Sequence, residues 1–270
     1  MRALLVASAV GLVMATFVSP ARPSIVSPRA GQSVTQTDLL SYLFVAPQPG
    51  DWLRYVVSVN GNPIVAKTIG FGSELLHDQP AAYFEIQTQQ PALRGVPVSM
   101  QHVAGGSLTW KMYVNAADFT DGTRTYAFAG GIVRIGDSYF RLGGNPLSPP
   151  EAASSQTLQS LLLFGLLPMP DARSGSVVAS EPEARTVDGR ELQTVHTTVD
   201  FSPNALGTVA GLPGSRVETW QTSDVPLGLV SVRVTENAGV FSMDLLSFGR
   251  GSYREQITRG IDTVPYFPGS

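Results

Sequence analysis

The sequence predicts a mainly β protein built on a single antiparallel sheet, and three observations predict it. Apolar and polar residues alternate at period two over many short runs. The breaks between runs carry hairpin-turn residues. Helical spacing is confined to two short stretches.

The alternation is clearest in Leu108, Trp110, Met112 and Val114. Leu53, Tyr55, Val57 and Val59 repeat it, as do Phe84 and Ile86, then Val195, Val199 and Phe201, then Val230, Val232 and Val234. Arg54, Ser58, Glu85, Lys111, His196, Ser231 and Arg233 fill the other phase. Successive strand side chains point to opposite faces, so each strand gains an apolar and a polar side. That is the signature of an antiparallel sheet with one wet face, since buried parallel strands read as continuous apolar runs.

The turns follow the same logic. Asn60-Gly61 between two strand-like runs is a strong hairpin signal. Asp121-Gly122, Gly130-Gly131, Gly136-Asp137 and Asp188-Gly189 are read as turns too. Their spacing predicts roughly ten strands.

Two helices are expected. Leu39, Leu40, Tyr42, Leu43 and Phe44 suggest a short leading helix. Ser148-Pro149-Pro150-Glu151 matches a capping box, which predicts a helix from Pro149 to about Phe164. The stretch from Leu158 to Leu167 is apolar nearly all round, so it must cover a sheet concavity or meet a partner.

Ahead of this lies an export signal. Arg2 precedes an uncharged apolar run from Ala3 to Val18, followed by Ser19-Pro20-Ala21. The expected organisation is a signal peptide over 1–21, a polar linker over 22–37 and one β-rich domain over 38–270. The apolar run is short for a spanning helix, and no later stretch suits one, so no integral membrane span is expected.

Composition narrows function. The chain is 43% hydrophobic and 14% charged with a net charge of −3, so global disorder is excluded and no basic field exists for nucleic acid. The lysines are Lys67 and Lys111, and there is no cysteine. Disulfides, thiolate metal sites and a lipid-modified cysteine anchor are thereby excluded.

Catalytic patterns are weak. His77, His102 and His196 have no metal-ligand spacing. Gly136-Asp137-Ser138-Tyr139 and Gly143-Gly144-Asn145 echo GDSL-type hydrolase blocks, but they are nearly adjacent and no histidine follows His196; tight turns explain them better. Asp118 and Asp121 bracket a turn without the ligand density of a calcium loop. No enzyme activity, metal or cofactor is expected.

Gly50-Asp51-Trp52-Leu53-Arg54-Tyr55 opens the first long strand, and the run from Glu218 to Val230 carries Trp220, Val225-Pro226 and Gly228-Leu229-Val230. These passages resemble those of secreted bacterial proteins with the LolA/LolB-like fold, the outer-membrane lipoprotein carriers. The resemblance implies a sheet curved into a half-open barrel, with one or two helices covering its concave face. It also implies an apolar ligand in the hollow: an acyl chain, a lipid or a lipoprotein's lipid. The candidate lining is Tyr55, Trp110, Met112 and Trp220 from strands, with Leu158, Leu161 and Leu162 from the covering helix. The chain departs from the carriers in placing that helix mid-chain and in lacking an anchoring cysteine. The alternative is a non-catalytic structural or protein-interaction module of the envelope, in periplasm or outside the cell, with a protein partner and a solid core.

Overall fold

The computed structural model describes residues 27–76, 78–89, 108–115, 125–126, 128–142, 156–157, 174–201, 214–236 and 239–265. Among these, the first elements are β1 (Ser33–Thr35), α1 (Gln36–Ser41), β2 (Trp52–Val59), β3 (Asn62–Leu76), β4 (Gln79–Gln89) and β5 (Leu108–Asn115). Then come β6 (Thr125–Tyr126), β7 (Phe128–Ile135), β8 (Ser138–Leu142) and β9 (Gln156–Thr157). Last are β10 (Ser174–Val187), β11 (Arg190–Phe201), β12 (Ser215–Gln221), β13 (Leu229–Glu236) and β14 (Gly239–Gly249).

Twelve of these strands form one antiparallel sheet in the order β1-β10-β11-β12-β13-β14-β2-β3-β4-β5-β7-β8. The sheet is not closed into a barrel. β6 and β9 pair separately.

Asn60 and Gly61 take positive φ values of 50° and 78° and join β2 to β3 in a two-residue loop, as their sequence predicts. Asp188-Gly189 does the same for β10 and β11. Gly130-Gly131 does not form the expected turn; it lies inside β7. A Cβ on Gly130 would sit 2.8 Å from Ile261 Cδ1, so glycine there admits a covering segment rather than a reversal. The expected linker ends early, because Ser33–Thr35 pair with β10.

The inner face holds the main core. Leu53, Tyr55 and Val57 of β2 meet Ile69 and Phe71 of β3, Phe84 of β4, and Val232 and Val234 of β13. At the far side the β10–β11 hairpin leans toward β14: Arg190 lies 5.3 Å from the Phe248 ring, and Val187 and Leu192 join the same core.

The leading helix is present and caps itself. Thr35 Oγ1 accepts from Asp38 N at 3.1 Å, while Asp38 Oδ2 accepts from Thr35 N at 2.9 Å. Leu39 and Leu40 are both buried in the main core. Gln221 donates to the Leu40 carbonyl at 3.0 Å, and Leu227 N donates to Val45 O at 2.8 Å, so the segment after α1 is tied to the turn between β12 and β13. That turn is the predicted Val-Pro passage, in which Pro226–Gly228 form a buried 3-10 turn with Gly228 at φ 76°.

The outer face departs from expectation. Glu85 and Lys111, assigned to a wet side, are 0% and 1% exposed. An irregular strap from Ser252 to Pro265 crosses that side of β3, β4, β5 and β7, and packs Ile257, Ile261 and Val264 against Tyr83, Tyr113 and Ile132. It ends where Arg141 N of β8 donates to Pro265 O at 2.7 Å. The outer face is therefore covered in this half of the sheet.

The helix expected from Pro149 is interrupted, because Gln156 and Thr157 form β9 against Tyr126 and Thr125. Pairing with β6 overrides the local helical pattern there. The rest of that helix, with Leu158, Leu161 and Leu162, lies outside the described residues, as do the signal peptide, His77 and His102.

Candidate functional site

Of the strand residues expected to line one hollow, Tyr55 and Trp220 belong to the buried main core, Met112 packs against it, and Trp110 stands exposed. Tyr55 is 1% exposed in the main core, and its hydroxyl donates to Leu229 O at 2.7 Å. Burial alone pushes its phenol pKa up. Trp220 is covered by its own neighbours. Its cross-strand partner His196 stacks on it at 4.2 Å and 10°, and the Arg185 guanidinium lies 4.1 Å from the ring. Glu183 and Glu218 flank His196 at 3.0 and 3.4 Å.

Trp110 and Met112 are brought together, on the inner face of β5. Register fixes the surroundings. Met112 lies opposite Phe84, and Trp110 lies between Ile86 of β4 and Val133 of β7. One row further, Leu108 lies between Thr88 and Ile135. Directly opposed residues share a face, so these side chains form one apolar stripe. Met112 packs on the main core, whereas Trp110 is 37% and Ile135 45% exposed. Most large apolar side chains of this face are covered; here the cover thins out.

Lys67 stands on the same face. It lies between Val65 and Ile69 on β3, opposite Tyr55 of β2 and Thr88 of β4. Its ammonium has no hydrogen bond or ion pair among the described residues. Burial pushes its pKa down to about 8. The sequence carried a signal for it: a lysine on the phase of Val65 and Ile69, in a chain with one other lysine.

That other lysine has the opposite character. Lys111 Nζ lies 2.7 Å from Glu74, 3.1 Å from Glu255 and 3.3 Å from the Ile257 carbonyl, and 4.1 Å from the Tyr83 ring centroid. Glu85 accepts from the backbone N–H groups of Gln256 and Ile257, at 2.8 and 2.9 Å, and from the Tyr253 hydroxyl. Tyr83 donates to Glu255 at 2.8 Å; burial first, then that carboxylate, pushes its phenol pKa up. Every charge in this cluster binds strap or sheet, which makes it a clamp on the strap rather than an open site.

A cleft of about 480 Å³ lies where β11, β12 and β13 meet, lined by Asp200, Phe201, Ser215, Arg216, Thr235 and Glu236. The Arg216 guanidinium grips Asp200 in two bonds of 2.7 and 2.9 Å, and those bonds lower the carboxyl pKa. It has neither the position nor the lining of the expected apolar hollow. Among the described residues there is no cluster of three metal-ligating side chains, and no helix long and apolar enough to cross a membrane.

No protein-family model and no curated protein matches the chain. Solved structures similar to it include a hypothetical protein from Chlamydia trachomatis, with 8% identity and a TM-score of 0.36 over 88% of this chain and 99% of that one. A lipoprotein candidate from Parabacteroides distasonis aligns with 8% identity and a TM-score of 0.35, over 77% of this chain and 98% of its own. A DUF1329 family protein from Desulfovibrio piger aligns with 12% identity and a TM-score of 0.29, over 81% and 93%. Function is therefore read from this chain's own residues.

Proposed function

We propose that this chain is an exported, non-catalytic binding protein of the cell envelope that holds an apolar ligand, an acyl chain or the lipid part of a larger molecule. The observation that carries this reading is the inner-face apolar stripe of Leu108, Trp110, Met112 and Ile135, which is exposed at Trp110 and Ile135. The ligand's apolar part would lie toward the β5–β7 end of the sheet, since the surroundings of Tyr55 are already packed. Reversible burial of apolar surface supplies the affinity, about 0.8 kcal/mol for each methylene removed from water.

A second reading, a structural or protein-interaction module, draws on the other half of the same face. There the protein's own side chains and α1 fill the interior. Native mass spectrometry of the exported chain, purified without detergent, separates the two. A retained lipid-sized mass that is lost in Trp110→Ala supports the ligand reading. A clean apo mass with no uptake from a lipid panel refutes it and leaves the interaction module.

A further inference from the structure

We propose that Lys67 is the anion-recognising end of the apolar stripe, so that the preferred ligand is an amphiphile with a carboxylate or phosphate head on an acyl chain. The proposal rests on the ligand reading above and adds the chemistry of the head.

The geometry comes from register. Tyr55, Lys67, Thr88, Leu108 and Ile135 stand opposite one another across β2, β3, β4, β5 and β7. They form one row on one face. Lys67 and Ile135 are three strand spacings apart, ~14 Å. An acyl chain laid across the row from Lys67 passes Leu108 and Trp110 on its way to the exposed end. Polar contact is available at one end of this row and apolar contact at the other, which is the layout of an amphiphile.

Lys67 is not a solvated-face lysine. Its neighbours along β3 on that face are Val65 and Ile69, both buried in the main core. Lys111, fully buried, is satisfied by two carboxylates and a carbonyl, whereas the half-buried Lys67 has no such partner among the described residues. Its lowered pKa agrees with an ammonium short of both water and counter-charge. A bound anion supplies what the fold withholds, and a charge-assisted bond there is stronger than a neutral one.

The test is calorimetric titration of the full exported chain at pH 7 with dodecanoate, dodecyl phosphate and dodecanol. At least one anionic probe should bind about tenfold or more tighter than dodecanol, the ratio expected for one charge-assisted bond. Lys67→Met should abolish that preference, and Lys67→Arg should retain it. Ile135→Ser should weaken all three probes alike. Which anion wins identifies the head as carboxylate or phosphate. Equal affinities in the wild type, or a preference that survives in Lys67→Met, overturn the proposal and leave the apolar site standing. No binding of any probe removes the apolar site as well.

Discussion

Replacing Lys67 by methionine should stabilise the protein at neutral pH, by an amount that fades as the solution is made alkaline. Methionine keeps an unbranched apolar stem and loses the ammonium. In the fold, burial moves the Lys67 pKa from 10.5 to about 8. At 1.36 kcal/mol for each unit, that corresponds to up to about 3 kcal/mol. The direction follows from proton binding. Below pH 8 the lysine is charged in both states and the folded state bears the whole desolvation cost. Between about 8 and 10.5 the unfolded chain holds more protons, so wild-type stability climbs with pH. Above 10.5 the lysine is neutral in both states and the cost has gone. Urea unfolding of both proteins at pH 6.5, 8, 9 and 10.5 gives the difference directly, and the other titrating groups cancel in it. The variant should be more stable by up to about 3 kcal/mol at pH 6.5, with the gap closing by pH 10.5. A gap that is absent or does not change with pH refutes the desolvated-lysine account.

Lys111→Met should cost about 1.5–3 kcal/mol, because the half-buried Glu74 and Glu255 lose the cation bonded between them. Unfolding in denaturant checks this, and trypsin should cut the variant's strap at Arg254 or Arg259 sooner than the wild type's. Gly228→Ala should abolish soluble expression: a Cβ there would lie 1.7 Å from the Leu43 carbonyl oxygen at a backbone φ of 76°. Tyr55→Phe should lower stability by about 1–3 kcal/mol by stranding the buried Leu229 carbonyl, with ligand uptake unchanged. Parallel urea and binding curves would show whether those two effects separate.

What could be read from the sequence was local. Asn60-Gly61 set its hairpin because a two-residue loop needs two positive φ values, a demand met within the dipeptide itself. The apolar phases of β2, β11 and β13 were legible for the same reason: each strand repeats its own face. Burial of the other phase was not. Glu85 and Lys111 read as wet because their cover comes from residues 252–265, far along the chain and without strand periodicity. Gly130-Gly131 misled in the same way, since glycine marks close approach as well as reversal, and only Ile261 decides between them. Of the candidate site, Trp110 and Met112 were grouped correctly by phase. Tyr55 and Trp220 are covered core residues, because period two says which face a residue takes and nothing of how deeply that part of the face is packed. Lys67 is legible by phase, since it follows Val65 and precedes Ile69 at period two.

The middle of the sheet is made from the two ends of the chain. β2 pairs with β14, with Val59 beside Phe241 and Leu53 beside Phe248, while the strands of sequential hairpins spread outward on either side. One wing, β2 to β8, can zip up by short-range pairing, and so can the other, β10 to β14. The seam between them closes only after nearly the whole polypeptide has been released, and such long-range closure is slow. The strap follows β14 in the chain and crosses the β3–β7 part of the other wing, so the clamp at Lys111 joins the two wings a second time. Assembly should therefore proceed from two separately paired wings to their joining at β2–β14, with the clamp at Lys111 locking them together.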